Sequence, residues 1–351
     1  MRFHSIEKYL NVPVFFNFHN GELQTFCNKY SKVVILTDEN TVLHCYPKLC
    51  KVFQGKFDFE LITIAAGEEE KSIETVSAII DKLLHAVVPK NALLLAVGGG
   101  VLCDIVGFTA SVYKRGVNFA YIPTTLLAMV DASIGGKTGV NHLHQKNMIG
   151  VINQPSAIFI NESYLDTLTE LEIKNGFAES LKHALIADHH LFEKITLENC
   201  HNILMIHQSA NIKMRFVEED EHEKNIRKAL NFGHTIGHAI ETYSHEIEKP
   251  LSHGYAVAFG MFCEAYISLQ KGMLSEKEFV SIAEKIKAVF EGYEISEEAI
   301  DMLISHMRND KKNDAQIRFC LLKGIGNYSV DEAVDELFIK DAILHFINHY
   351  K

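Results

Sequence analysis

The 351-residue sequence has no tryptophan, only six prolines, and seven cysteines that never form a C-x-x-C pair. With so little proline and no Ser/Gly-rich tract, long unfolded linkers are not expected. Cys27, Cys45, Cys50, Cys103, Cys200, Cys263 and Cys320 are scattered and odd in number. That argues against a disulfide frame and a thiolate zinc site, and it fits a reducing, cytoplasmic setting. No stretch approaches the roughly 18–20 apolar residues that span a bilayer. The opening segment, residues 1–16, is too polar and lacks the small-residue cleavage site of a signal peptide. Basic excess is also lacking: the formal charge is −11, which disfavours nucleic acid and anionic membrane as partners. A local cationic pocket remains compatible with that balance.

What the chain does have is apolar content, 47% against 23% charged residues, enough for a sizeable core. At roughly 100–200 residues per domain, the length predicts two domains. Short apolar runs at 32–38, 61–64, 91–97, 119–123 and 156–160 predict strands, and helical spacing runs from Ile73 to Val87. Strand–helix alternation implies a parallel sheet covered on both faces. After about residue 168 the pattern becomes helical, over 171–187, 195–217, 232–243, 255–270, 277–290 and 296–307, with one good strand at 317–322. The expectation is an α/β nucleotide-binding domain over 1–168 and a mainly α-helical metal- and substrate-binding domain over 169–351. The cleft between them is the default site.

The third strand runs into Gly98-Gly99-Gly100-Val101-Leu102-Cys103-Asp104. Glycines there let backbone N–H groups approach a pyrophosphate at a helix N-terminus. The spacing is not GxGxxG, and a tight strand-to-helix turn without a ligand explains a glycine triplet equally well. Asp38, ending the first strand, suits a ribose hydroxyl, and Gly67-Glu68-Glu69-Glu70-Lys71 follows the second. Residues 123–150 join glycines to lysines: Gly135-Gly136-Lys137-Thr138 has the ending of a P-loop, but Asp131 stands where its first glycine belongs, so a triphosphate site is not expected. Lysines beside glycine turns bind phosphate or carboxylate as point charges, and Arg115 is placed to complete an anion clamp. Solvated surface lysines are the plain alternative.

His234 and His238, four apart, lie on one face of a helix, a half-site for a divalent metal. No glutamate follows the first histidine, so this is not the HExxH pattern. His253 and Glu179 supply further imidazole and carboxylate ligands for a Lewis-acid site with an open position. With 19 histidines some such spacings arise by chance, and His189, His190 and His201 compete without the glycine context.

In order, the blocks AAGEEEKS, GGGVLCDIVGF, YKRG, IPTTLLAMVDASIGGKTGVN, KNMIG, GFAESLKHALI, NFGHTIGHAIE and LSHG resemble the 3-dehydroquinate synthase family, across roughly residues 30 to 325. The resemblance implies a cytoplasmic homodimeric lyase of the shikimate pathway of aromatic amino-acid biosynthesis. It would convert 3-deoxy-D-arabino-heptulosonate 7-phosphate to 3-dehydroquinate and phosphate through transient NAD oxidation, phosphate β-elimination, re-reduction and intramolecular aldol closure. It makes Glu179, His234 and His253 the ligands of Zn2+ or Co2+, and moves His238 from the metal to the substrate phosphate and proton transfers. Arg115, Asp131, Lys137, Asn147, Lys182, Lys213, Arg227 and Asn231, with Lys311 or Lys312, would line the substrate pocket. NAD would be held by Asp38, Gly67, Glu68, Lys71, Gly99, Gly100, Val101, Asp104, Thr124, Thr125, Lys137, Lys146, Leu165, Asp166 and Thr167.

The sequence departs from that family at Cys103, commonly glycine, at Tyr255, commonly glutamate, at Ser252 before His253, and in a slightly longer segment ahead of His253. The rival readings are another sugar-phosphate cyclase, a metal-dependent polyol dehydrogenase of the same superfamily, and a catalytically inert metal- or nucleotide-binding regulator. The lysine and arginine set favours a phosphorylated substrate over a polyol.

Overall fold

Runs of Val, Ile and Leu become strands buried on both faces. The computed structural model describes residues 3–53, 59–143, 145–310 and 316–350. Its strands are β1 (Ser5–Tyr9), β2 (Val12–Phe16), β3 (Val33–Asp38), β4 (Phe59–Ile64), β5 (Leu93–Gly98), β6 (Asn118–Pro123), β7 (Lys137–His142), β8 (Gln145–Ile152), β9 (Ile158–Ile160), β10 (Arg318–Leu322) and β11 (Tyr328–Ala333). Seven form one sheet in the order β1-β2-β9-β6-β5-β3-β4. All neighbours are parallel except β1 and β2. Every residue of β5 and β9 is buried, as expected of inner strands beneath helices.

The chain divides into two compact units, Met1–Glu172 with His201–Glu218, and Ile173–Cys200 with Glu219–Lys351. The division expected at 168/169 is thus crossed once, by a segment that returns to the first unit. It buries Ile206, Phe216 and Val217 and adds polar anchors. Ile203 N–H donates to Glu162 Oε2 at 2.6 Å, His207 Nε2 lies 3.0 Å from Glu7 Oε1, and Lys213 Nζ meets Asp131 Oδ1 at 2.7 Å.

The first unit adds two antiparallel hairpins that the residue pattern did not reveal, β1–β2 and β7–β8. The glycine- and lysine-rich stretch is ordered as the second of these, preceded by a π-helical turn over Ala128–Ala132. Gly139 pairs with Gly150 across it. A Cβ on Gly150 would stand 2.4 Å from Thr138 O, so the strands admit no side chain there. Lys137 and Thr138 therefore lie on a strand, with no helix N-terminus for a P-loop, as the missing glycine implied.

In the second unit the Glu170–Ala187 helix is buried all round from Lys174 to Ile186, the mark of a central helix. The unit's other long helices are His234–Glu246, His253–Gln270, Glu276–Lys287, Ile300–Asp310 and Glu336–His349, and His253–Gln270 packs against His234–Glu246, Glu276–Lys287 and Glu336–His349. The helix expected over 195–217 is corrected: it begins at Ile203, after a separate short helix, His189–Lys194. Asp188 caps that short helix, and Asn199 closes the next turn by donating to Lys194 O and accepting from Thr196 N–H. Local side-chain hydrogen bonds of this kind compete with helix. No helix among the described residues is long and apolar enough to cross a membrane.

Candidate metal centre and nucleotide edge

Three helices of the second unit each contribute one donor. Glu179 comes from the central helix, and His234 and His253 are the first residues of theirs. Their ligand atoms all lie within 4.8 Å of one another. Glu179 Oε1 is 3.4 Å from His234 Nε2 and 3.5 Å from His253 Nε2. The two remaining imidazole nitrogens are spoken for: His234 Nδ1–H donates to Phe232 O at 3.2 Å and His253 Nδ1–H to Glu241 Oε2 at 3.4 Å. Both Nε2 atoms are thereby turned toward the carboxylate, which is how metal-binding imidazoles are oriented.

Glu179 is 1% exposed. Burial opposes its ionisation, but the charge of Lys182 and contact with His234 outweigh it and hold the carboxyl well below its usual range. Burial, then the Lys182 charge, push His234 down to about 4. Burial also opposes protonation of His253, yet Glu179 and Glu241 raise it to about 9. A buried carboxylate facing the Nε2 atoms of two imidazoles is a donor set that can hold a cation. Two imidazoles and a carboxylate fit zinc or cobalt.

His238 sits one turn beyond His234, with ring centroids 5.2 Å apart, and is exposed. With Glu241 and His253 it forms a second group of donors within 4.8 Å. Glu241 went unnoticed in the sequence, although its spacing, one turn after His238, could have shown it. His189 and His190 are apart from all this, beside Glu193. Lys182 Nζ pairs with Glu179. Arg227 is buried, its Nη1 donating to Glu221 O and its backbone N–H to Asp220, while Asn231 Nδ2 donates to Glu223 Oε1 at 2.7 Å. Tyr255 spends its hydroxyl on Glu291, and Lys174 Nζ reaches the same carboxylate at 2.9 Å. This substitution therefore leaves His253 with Glu241 and Glu179. Lys311 and Lys312 lie outside the described residues.

In the first unit the residues expected to hold NAD follow the carboxyl ends of adjacent parallel strands. Asp38 ends β3, Gly67 and Glu68 follow β4, Gly99 follows β5, Thr124 and Thr125 follow β6, and Leu165, Asp166 and Thr167 follow β9. That edge is where open α/β sheets bind ligands. Gly99 caps the Gly100–Val112 helix without a side-chain hydrogen bond, and a Cβ there would stand 3.0 Å from Thr125 Cγ2. A bare helix N-terminus with no room for side chains fits a pyrophosphate. Cys103 is fully buried one turn into the helix, its Sγ toward Gly98 O, so the helix absorbs this departure internally.

Asp38 Oδ1 accepts from Asn40 and Thr41 N–H, capping its own helix. Glu68 Oε1 accepts from Asn141 Nδ2 at 2.9 Å, and Asp166 pairs with Lys48. Lys71 Nζ lies 2.5 Å from both Asp104 Oδ2 and Asn147 Oδ1. Burial raises Asp104 to about 6 although Lys71 opposes the shift. Val101 lies in the first turn of the glycine-capped helix, Lys137 opens β7, and Lys146 stands on β8. Arg115 is exposed, with a left-handed φ of 60°.

Two family models, described as 3-dehydroquinate synthase N-terminal and 3-dehydroquinate synthase C-terminal, match residues 61–175 and 176–313. The 3-dehydroquinate synthase of Prochlorococcus marinus (strain MIT 9215) is 35% identical over 96% of each chain. That of Streptococcus equi subsp. equi (strain 4047) is 40% identical over 81% of this chain and 80% of its own. Among solved structures, 2-epi-5-epi-valiolone synthase from Streptomyces hygroscopicus subsp. jinggangensis 5008, with NAD+ and Zn2+ bound, superposes with a TM-score of 0.85 at 27% identity, covering 98% of this chain and 99% of that one. Together with the three convergent donors and the glycine-capped helix, these similarities make the chain a member of the 3-dehydroquinate synthase family.

Proposed function

We propose that the chain converts 3-deoxy-D-arabino-heptulosonate 7-phosphate to 3-dehydroquinate and phosphate. The observation that carries this reading is the convergence of Glu179, His234 and His253 in a chain similar over nearly its whole length to enzymes of that name. Zinc or cobalt on those three side chains supplies a Lewis acid, and NAD at the sheet edge supplies a hydride acceptor that is regenerated each cycle.

The protein's own part is binding, orientation and proton handling. Lys182 and Lys213 are buried ammonium groups already held by Glu179 and by Asp131, so they meet an anion with little loss of freedom. Arg227 is fixed by its contact with Glu221 O. Lys137, Arg115, Asn147 and Asn231 are the other groups proposed to touch substrate. His238, exposed beside the metal histidines, is proposed to accept or return protons near the phosphate. The reading includes a homodimer in the cytoplasm, for which light scattering should report twice the 39.6 kDa chain mass.

The deciding assay supplies the heptulosonate phosphate, zinc and substoichiometric NAD, and measures phosphate. Release far exceeding the NAD added, without NADH accumulation, is expected. NADH formed in step with product would mark a dehydrogenase instead. Turnover only with a different sugar phosphate would favour another cyclase.

A further inference from the structure

The His234–Glu246 helix starts in an unusual way. Its N-cap is Gly233, at φ 81° and ψ −12°, with no side chain to accept the first N–H groups. Nor is there room for one, because a Cβ on Gly233 would stand 2.4 Å from Met261 Cγ. The opening turn is buried at Thr235, Ile236 and Gly237, so water does not replace the missing cap. The acceptor comes from another helix. Glu264, with no exposed surface, places Oε2 2.7 Å from Gly233 N and Oε1 3.2 Å from Ile236 N.

Glu264 belongs to the His253–Gln270 helix, three turns along from His253. One carboxylate therefore ties together the two helices whose first residues are the two imidazole donors. The backbones touch where it does so: a Cβ on Gly260 would stand 1.9 Å from Gly233 O and 2.6 Å from Gly237 N. There is also an electrostatic reason for a carboxylate at this place. A helix N-terminus carries a partial positive charge. Two such ends meeting at a dication site oppose binding unless buried negative charge offsets them. Glu179 would do so as a ligand, and the Glu264 carboxylate, facing the start of the His234 helix, would do so without touching the ion.

We infer that Glu264 is a positioning residue for the metal centre, setting His234 against His253 and lowering the electrostatic cost of the cation. The inference rests on the metal reading above and names a residue which that reading does not use. It is tested on the full chain by zinc titration against a chromophoric chelator, comparing wild type with Glu264→Gln. The amide keeps the shape but turns an N–H2 toward one of the two backbone donors. The variant should bind zinc about 10–100-fold more weakly, and its cobalt form should show an altered visible spectrum. Zinc affinity and cobalt spectrum equal to wild type, even with a lowered melting temperature, would mean that Glu264 is only a helix cap and overturn the inference.

If Glu264→Gln does not fold, the wild-type protein decides by hydrogen exchange. Zinc should slow exchange at the Gly233 and Ile236 amides, and equal rates with and without zinc would reject the coupling. A wild-type chain that takes up no zinc removes the metal reading and this inference with it. Wild type and Glu264→Gln binding equally well removes the inference alone.

Discussion

Lys71 serves two acceptors with one ammonium, Asp104 and Asn147, and is itself buried. Removing it leaves Asp104 in a setting that already raises its carboxyl to about 6 through burial. Breaking a buried pair from one side costs about 3–5 kcal/mol, less where one partner keeps some solvent, so Lys71→Met should destabilise by about 2–3 kcal/mol in urea unfolding. Adding Asp104→Asn should recover part of that loss, because the amide carries no charge to strand. A second residue pair separates ligand from neighbour. His234→Ala should lose zinc by metal analysis after dialysis, whereas His238→Ala should keep it and lose turnover by about 10²–10⁴-fold. Zinc lost equally from both would restore the reading by spacing alone. That reading sees only neighbours on one helix, and so picks 234 with 238. The proposed donor set is drawn from three helices; the residue types offered Glu179 and His253 as further ligands, but only the resemblance set His238 aside. Glu264 left no signal, because its partners are backbone N–H groups of a different element.

Among the elements, close backbone approach governs the crossing of the two histidine-bearing helices. A Cβ on Gly237 would stand 2.8 Å from Ala256 O, and one on Gly260 meets backbone nearer still. Backbone cannot swing aside as a side chain can, so Gly260→Ala should cost about 3 kcal/mol or more, seen as a lower thermal midpoint together with weaker zinc retention. Gly21, inside the Asn20–Cys27 helix, has nothing within 4 Å of an added Cβ. Gly21→Ala should therefore stabilise by about 0.5–1 kcal/mol. Equal effects at the two positions would contradict the packing account. The inner strands were legible because they are continuous apolar runs ended by turn residues. The hairpins were not: β8 is almost wholly exposed and mixes Lys, Asn and Gly, and β1–β2 lies at the sheet edge where alternation is short. The break at 195–202 was hidden because apolar spacing continues through it, while its cause is a set of local side-chain hydrogen bonds.

For the whole molecule, the division into two units separates the two expected ligands. Glu179, His234 and His253 all belong to the second unit, and the glycine-capped helix with its strand edge belongs to the first. A net charge of −11 leaves the proposed binding of a phosphorylated acid intact, since Lys182 and Lys213 are cations in buried positions, out of reach of the average surface charge. A ligand that binds only the folded form stabilises what it touches, by about 2.7 kcal/mol at a hundredfold excess over its dissociation constant. Removing zinc with a chelator should therefore speed amide exchange in Glu170–Ala187, His234–Glu246 and His253–Gln270, while β3, β5 and β6 keep their protection. NAD should act on the other unit, slowing exchange at the start of Gly100–Val112 and leaving those three helices unchanged. Zinc removal that loosened β5 as much as the helix beginning at His234 would mean that the ion holds the whole chain together, and the three side chains could then no longer be treated as a centre belonging to one unit.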